Sequence, residues 1–277
     1  MSDQFMTYLQ NNQNLLDATS LKFSIQCING GVTITNNTYI TSQSSFISSY
    51  LSQVSINNSV VYDIVSDAII FTMIESNMTI DDSMFTNLTT TQTGDVLSVS
   101  FDAITEINNL TYSASNMRLI TVLSSTLSVA NIEVFDISLS QHLISFINCL
   151  SISMQNVNIR NLNTTNSDLL SFSGSVINQI SSMTVYDISA IILHITSSNI
   201  TNIDNLDIEN ATKCIHLEDS QLGLIQNSIF STSGSSTSSG GAFVIEDSSS
   251  TMNNVTFMSN TAQMGGAVYV QCSSYDI

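Results

Sequence analysis

A short motif returns along this 277-residue chain ten times, at intervals of 22 to 27 residues. It reads apolar, any, Asn or Asp, any, any, apolar. The copies begin at Ile34, Ile56, Ile80, Ile107, Val129, Met154, Ile180, Ile203, Ile225 and Met252. Self-similarity at this period forces a stacked fold, in which each repeat buries its apolar face only against its neighbours.

Two motif positions carry most of the pattern. The third holds Asn36, Asn58, Asp82, Asn109, Asn131, Asn156, Ser182, Asn205, Asn227 and Asn254, and nine of the ten are Asn or Asp. The sixth is apolar in every copy, from Tyr39 to Phe257. A second turn follows at Asp63, Asn87, Asp136, Asn161, Asp187 and Asn210. Upstream of each motif lies an alternating strand such as Leu143-Ile144-Ser145-Phe146. Three short strands and three turns per repeat predict a right-handed parallel β-helix of about ten coils. Coils stacked at the sheet spacing of about 4.8 Å give a rod of roughly 43 Å. The Asn and Asp residues tolerate left-handed backbone. Stacked amides also bond along the axis, so Asn36, Asn58, Asp82, Asn109, Asn131, Asn156, Asn205, Asn227 and Asn254 are expected to form a structural ladder inside the turn. A helical solenoid is disfavoured, because Ser, Thr, Ile, Val and Asn dominate.

Charge narrows the partners. The chain carries 4 Lys and Arg against 22 Asp and Glu, a net charge of −18. Phosphate backbones need clustered cations, so nucleic acid is excluded as a partner, and anionic lipid is disfavoured. Glycans and other proteins remain. No apolar run is long enough for a membrane-spanning helix, so this chain makes no direct membrane insertion. Cys27, Cys149, Cys214 and Cys272 fall on different coils, too far apart to bridge, and are expected to be unpaired and mostly buried. Residues 1–20 read as a cap or lead-in and 21–277 as one β-helix domain. Ile277 lies in mid-repeat, so the sequence reads as part of a larger protein, open at its C-terminal end and able to self-associate there.

The last coils carry a more specific signature. Phe257-Met258-Ser259-Asn260 precedes Gly265-Gly266-Ala267-Val268-Tyr269, and Phe230-Ser231-Thr232-Ser233 precedes Gly240-Gly241-Ala242-Phe243. Pairing of Phe-x-x-Asn with Gly-Gly-Ala-apolar resembles the repeats of chlamydial polymorphic outer-membrane proteins. It is also similar to large surface repeat proteins of protists, ciliates among them, with pectin-lyase-like β-helices. The resemblance covers residues 230–272 and implies a surface-displayed, adhesin-like or structural role.

Lyases of the pectate-lyase kind use an acidic calcium site and a basic proton acceptor, yet Arg118 and Arg160 lie in different coils without clustered Asp. Of the elements typical of polygalacturonase-like hydrolases only Asp81-Asp82 is present. His194 and His216 occupy one place in adjacent coils and are expected to stack outward, a weak candidate pair for a transition metal, with Ser171 before and Phe243 after them. Glu218, Asp219, Glu246 and Asp247 are weak candidates for calcium. No catalytic residue and no cofactor is assigned. The expectation is a non-catalytic structural or adhesion-like segment of a larger, extracellular or cell-surface repeat protein, and not an enzyme. The alternative is a carbohydrate-active β-helix enzyme, lyase-like or hydrolase-like, with unfamiliar catalytic residues.

Overall fold

A computed structural model describes residues 25–35, 38–40, 47–65, 69–90, 94–164 and 168–272. These form a right-handed parallel β-helix of about nine turns. Among the described residues there is no helix, so none is long and apolar enough to cross a membrane. Residues 1–20 and Asn36 lie outside the described residues.

Each turn contributes to three parallel sheets. The first sheet stacks Ile25–Ile28, Ile47–Tyr50, Phe71–Ile74, Asp95–Ser100, Arg118–Leu123, Ile144–Ile147 and Asp168–Ser173. It continues through the ends of Val176–Thr196 and Asn199–Glu218, then Phe243–Glu246 and Val268–Gln271. The second sheet begins with Gly31–Thr35 and Gln53–Asn57, and the third with Thr38–Ile40 and Val60–Tyr62. In later coils one long strand bends through both, as in Thr126–Leu139 and Ser151–Thr164.

Register explains the core. Alternate residues point inward, so Phe71, Leu97, Ile120, Ile144, Leu170, Leu193, Ile215 and Phe243 share one buried column. In the next inward column Phe146 and Phe172 stack with centroids 4.6 Å apart. Each such side chain contributes about 1.5–3 kcal/mol by leaving water. The outward column between them holds short side chains, Thr72, Ser98, Thr121, Ser145 and Ser171, before it reaches His194 and His216.

The corners correct one expectation. Asn58, Asp82, Asn109, Asn131, Asn156, Ser182, Asn205, Asn227 and Asn254 all have positive φ, between 47° and 56°. Their side chains face solvent rather than the interior; only Ser182 is half-buried. A left-handed residue breaks the strand alternation, so its own Cβ turns outward and the next residue turns in. Ser59, Ser83, Leu110, Ile132 and Val157 fill those inward places. The amide ladder exists on the outside: Asn156 Nδ2 donates to Asn131 Oδ1 at 2.9 Å, Asn109 to Asp82 at 2.8 Å and Asn254 to Asn227 at 2.8 Å.

The buried polar ladder is made of serine instead, at the corner between first and second sheets. Ser175, Ser198 and Ser220 are 1–3% exposed. Ser198 Oγ accepts the backbone N–H of Ser175 at 2.9 Å and donates to the Thr196 carbonyl at 2.8 Å. Ser220 and Ser248 repeat the arrangement one and two coils on, and Ser175 does so one coil before, for Cys149. Corner N–H groups that the sheet cannot pair are satisfied this way.

The cysteines are all free, but only Cys149 and Cys214 are buried; Cys27 is half-buried and Cys272 exposed. Cys27 and Cys272 lie in the first and last described coils, where less is packed over them.

Candidate active site

The outer face of the first sheet changes character near its C-terminal coils. His194 and His216 are register partners on adjacent coils. Their rings lie parallel, 5° apart in plane and 4.9 Å between centroids. The column continues with Val244, not Phe243, which turns inward and is fully buried.

Carboxylates bracket the pair. Asp168, at the start of its strand and 7% exposed, places Oδ2 2.8 Å from His194 Nδ1. His194 Nε2 lies 3.7 Å from Glu218 Oε2. His216 Nε2 lies 3.3 Å from Glu246 Oε2, and Glu218 and Glu246 are themselves register partners. Two buried ring nitrogens, His194 Nε2 and His216 Nδ1, make no hydrogen bond within the described residues. His142 adds a third imidazole, its Nδ1 3.2 Å from the Asp168 carbonyl.

The two stacked imidazoles sit in unlike fields. The hydrogen bond to Asp168 raises the His194 pKa above its ordinary value, outweighing the opposing cost of burial. Burial lowers the His216 pKa, helped by the Lys213 charge and opposed by the hydrogen bond to Glu246. Neighbouring titratable groups pushed in opposite directions are the arrangement that divides acid from base at one pH.

A second polar cluster lies further along the same face. Arg118 donates to Thr121 Oγ1 at 2.7 Å and to Gln141 Oε1 at 2.8 Å, and its Nε is 3.5 Å from Asp95 Oδ1. Thr121 donates to Asp95 Oδ2 at 2.8 Å. Two of the three guanidinium nitrogens bond to protein groups, and Nε, shielded from water, makes no hydrogen bond within the described residues.

The metal candidates find little support in this geometry. Stacked parallel rings direct their in-plane lone pairs side by side rather than to one point, which is what a shared ion requires. Among the described residues no group of three His, Cys, Asp or Glu is placed to hold a metal ion. Glu218 and Glu246 instead face the imidazoles, with Asp219 and Asp247 at the left-handed corners beside them. The 22-residue offset of the histidine pair is visible in the sequence. Asp168 lies three residues before the matching column position and shows no repeat signal.

No protein-family profile and no curated protein sequence matches this chain. Solved structures do resemble it. The catalytic domain of a GH87 alpha-1,3-glucanase in complex with nigerose has 11% identity and a TM-score of 0.41, covering 91% of this chain and 56% of that one. This chain thus spans little more than half of that domain. The A-module of the Azotobacter vinelandii mannuronan C-5 epimerase AlgE4 has 12% identity and a TM-score of 0.32, covering 87% of this chain and 91% of the other. A double mutant of the periplasmic alginate epimerase AlgG has 10% identity and a TM-score of 0.29, covering 91% and 75%. The class that the chain's own strand pairing defines is the right-handed parallel β-helix repeat protein.

Two expectations are corrected here. The chain was expected to be a non-catalytic, adhesion-like segment and not an enzyme. Each of these three structures is named as an enzyme rather than an adhesin. The face of the first sheet also carries an imidazole and carboxylate cluster that a search for familiar catalytic elements passes over.

Proposed function

We propose that this protein is a carbohydrate-active β-helix enzyme that hydrolyses a neutral polysaccharide on the outer face of its first sheet. The observation that carries the reading is His194, held by Asp168 at 2.8 Å and stacked at 4.9 Å on His216, whose pKa moves the opposite way.

The sign of the surrounding charge selects hydrolysis over elimination. Glycoside hydrolysis passes through an oxocarbenium-like transition state, which is positive. Elimination from a uronate builds negative charge and calls for cations. Asp168, Glu218 and Glu246 face the pair, against Lys213 as the cation acting on His216. A field of this sign stabilises the first transition state and opposes the second. It also repels a polyuronate chain.

The roles follow from the contacts. His194 Nε2 and His216 Nδ1 are shielded from water, so the partly exposed Glu246 carboxyl, beside His216, gives its proton to the glycosidic oxygen as the bond to the anomeric carbon breaks. Asp168 positions the His194 ring, which faces the partly exposed Glu218 carboxylate. Glu218, on a coil about 4.8 Å from that of Glu246, stabilises the cationic centre. Water then attacks that centre and yields its proton to the Glu246 carboxylate, and the sugar leaves with a new reducing end. An extracellular place of action is part of the proposal.

The test is a panel of neutral glucans and polyuronates incubated with the intact protein, read by reducing-end release and by formation of unsaturated product. Reducing ends from a neutral glucan, abolished by His194→Ala, support the reading. Unsaturated product from a polyuronate, or no turnover anywhere on the panel, overturns it.

A further inference from the structure

A second surface with chemistry of its own lies on the outer face of the third sheet, around the bend from the histidines. Phe135, Arg160 and Tyr186 are register partners on three successive coils. Beside them runs a column of Glu133, Asn158, Thr184 and Asp207. The Arg160 guanidinium carbon stands 5.1 Å from the Phe135 ring centroid, and Nη2 is 2.8 Å from Glu133 Oε1. Tyr186 donates its hydroxyl to Asp207 Oδ2 at 3.0 Å. Asn158 Oδ1 is shielded from water and makes no hydrogen bond within the described residues.

The fold does not require these groups. Arg160 and Glu133 are 47% and 44% exposed, and an exposed pair of this kind adds little stability. The chain has only 4 basic residues, and one of them is held here over the Phe135 ring, with Tyr186 as its register partner on the next coil. The column therefore alternates apolar rings with a five-donor fork, an amide, a hydroxyl and carboxylate acceptors. A sugar chain carries the complement: hydroxyls that donate and accept, on a ring with apolar C–H faces. The local charge rules out an anionic occupant, because Glu133, Asp207 and Glu209 outnumber Arg160.

We propose that Phe135, Arg160 and Tyr186, with Asn158 and Asp207, form a non-catalytic binding surface for a neutral glycan chain, remote from His194 and His216. The proposal takes its ligand class from the carbohydrate reading above but needs no turnover. A polysaccharide held on the third sheet stays tethered while another stretch of it is processed on the first.

Affinity electrophoresis of the intact protein through gels containing soluble neutral glucans tests this directly. The wild-type protein is retarded by at least one glucan. Arg160→Ala with Tyr186→Ala weakens the affinity about tenfold, the loss of one good contact. Arg160→Lys weakens it comparably, because charge is kept and the planar fork is lost. Urea unfolding midpoints confirm that the variants remain folded. Unchanged retardation in the double variant overturns the proposal, as does retardation by no glucan, or binding confined to a basic peptide. Glucan binding that depends on Arg160, in a protein that cleaves nothing, leaves this surface standing and sinks the hydrolase reading alone.

Discussion

Asp168 and His194, on neighbouring coils and three register positions apart, are joined by a 2.8 Å hydrogen bond from Nδ1 to Oδ2. That bond keeps the imidazole charged at a pH where a free histidine has begun to lose its proton. Stability follows from the same shift. A histidine whose folded pKa is raised contributes in full below its ordinary pKa near 6.5, and the contribution fades as pH rises through the folded value. Asp168→Asn should lower the His194 pKa and remove this part of the pH dependence. NMR titration of the His194 ring in both proteins measures it, and equal titration curves would contradict the assignment.

His216 should respond in the opposite direction. Its pKa is depressed, by burial first and by Lys213 second. Proton uptake at His216 therefore costs stability as pH falls below about 6.5, where the unfolded chain binds the proton more readily. Lys213→Gln removes the second cause and should raise the His216 pKa without moving burial. The same NMR experiment reads it; a His216 pKa that stays put or falls rules out the Lys213 contribution.

The serine ladder should be worth more than its modest residue type suggests. Ser198→Ala leaves the buried N–H of Ser175 without an acceptor. An orphaned buried donor costs about 1–3 kcal/mol. Ser124, whose φ is +49° at another coil's corner, offers the contrast. Ser124→Gly relieves a left-handed backbone and should leave stability unchanged or improved. Urea unfolding of the two variants distinguishes a structural ladder from ordinary corner polarity.

Asn156 makes a complementary case. Its side chain is exposed, with φ at +54°. Asn156→Leu should destabilise by about 1 kcal/mol, because Leu tolerates left-handed backbone poorly. Asn156→Gly should cost less, since glycine adopts that conformation freely. A buried amide would show the reverse ranking, with Gly at least as damaging as Leu. Chemical denaturation of the pair settles which face of the corner the residue serves.

Much of the fold was legible in the sequence, and the reasons are physical. Repeating Asn at a fixed offset marks left-handed corners, and the apolar sixth position, from Val61 to Phe257, marks the third sheet. The direction of the Asn side chains was not legible, because a positive φ interrupts the two-residue alternation that sequence patterns report. Ser175, Ser198 and Ser220 were hidden for a related reason: serine is common throughout the chain, and only the corner geometry turns these three inward. The histidine stack could be found from equal positions in successive coils. Its carboxylate partner could not, since Asp168 reaches His194 diagonally across the sheet. Familiar catalytic elements are contiguous words, whereas this cluster is assembled from single residues on four coils.

The most direct test of the account is the pH dependence of reducing-end release from a neutral glucan by the wild-type protein and by Asp168→Asn. The wild-type rate should fall on the alkaline side as His194 loses its proton and on the acid side as His216 gains one. Asp168→Asn should pull the alkaline limb to lower pH and leave the acid limb in place. An alkaline limb that does not move, with turnover intact, would contradict a part for the His194 charge and remove the cluster from the reaction.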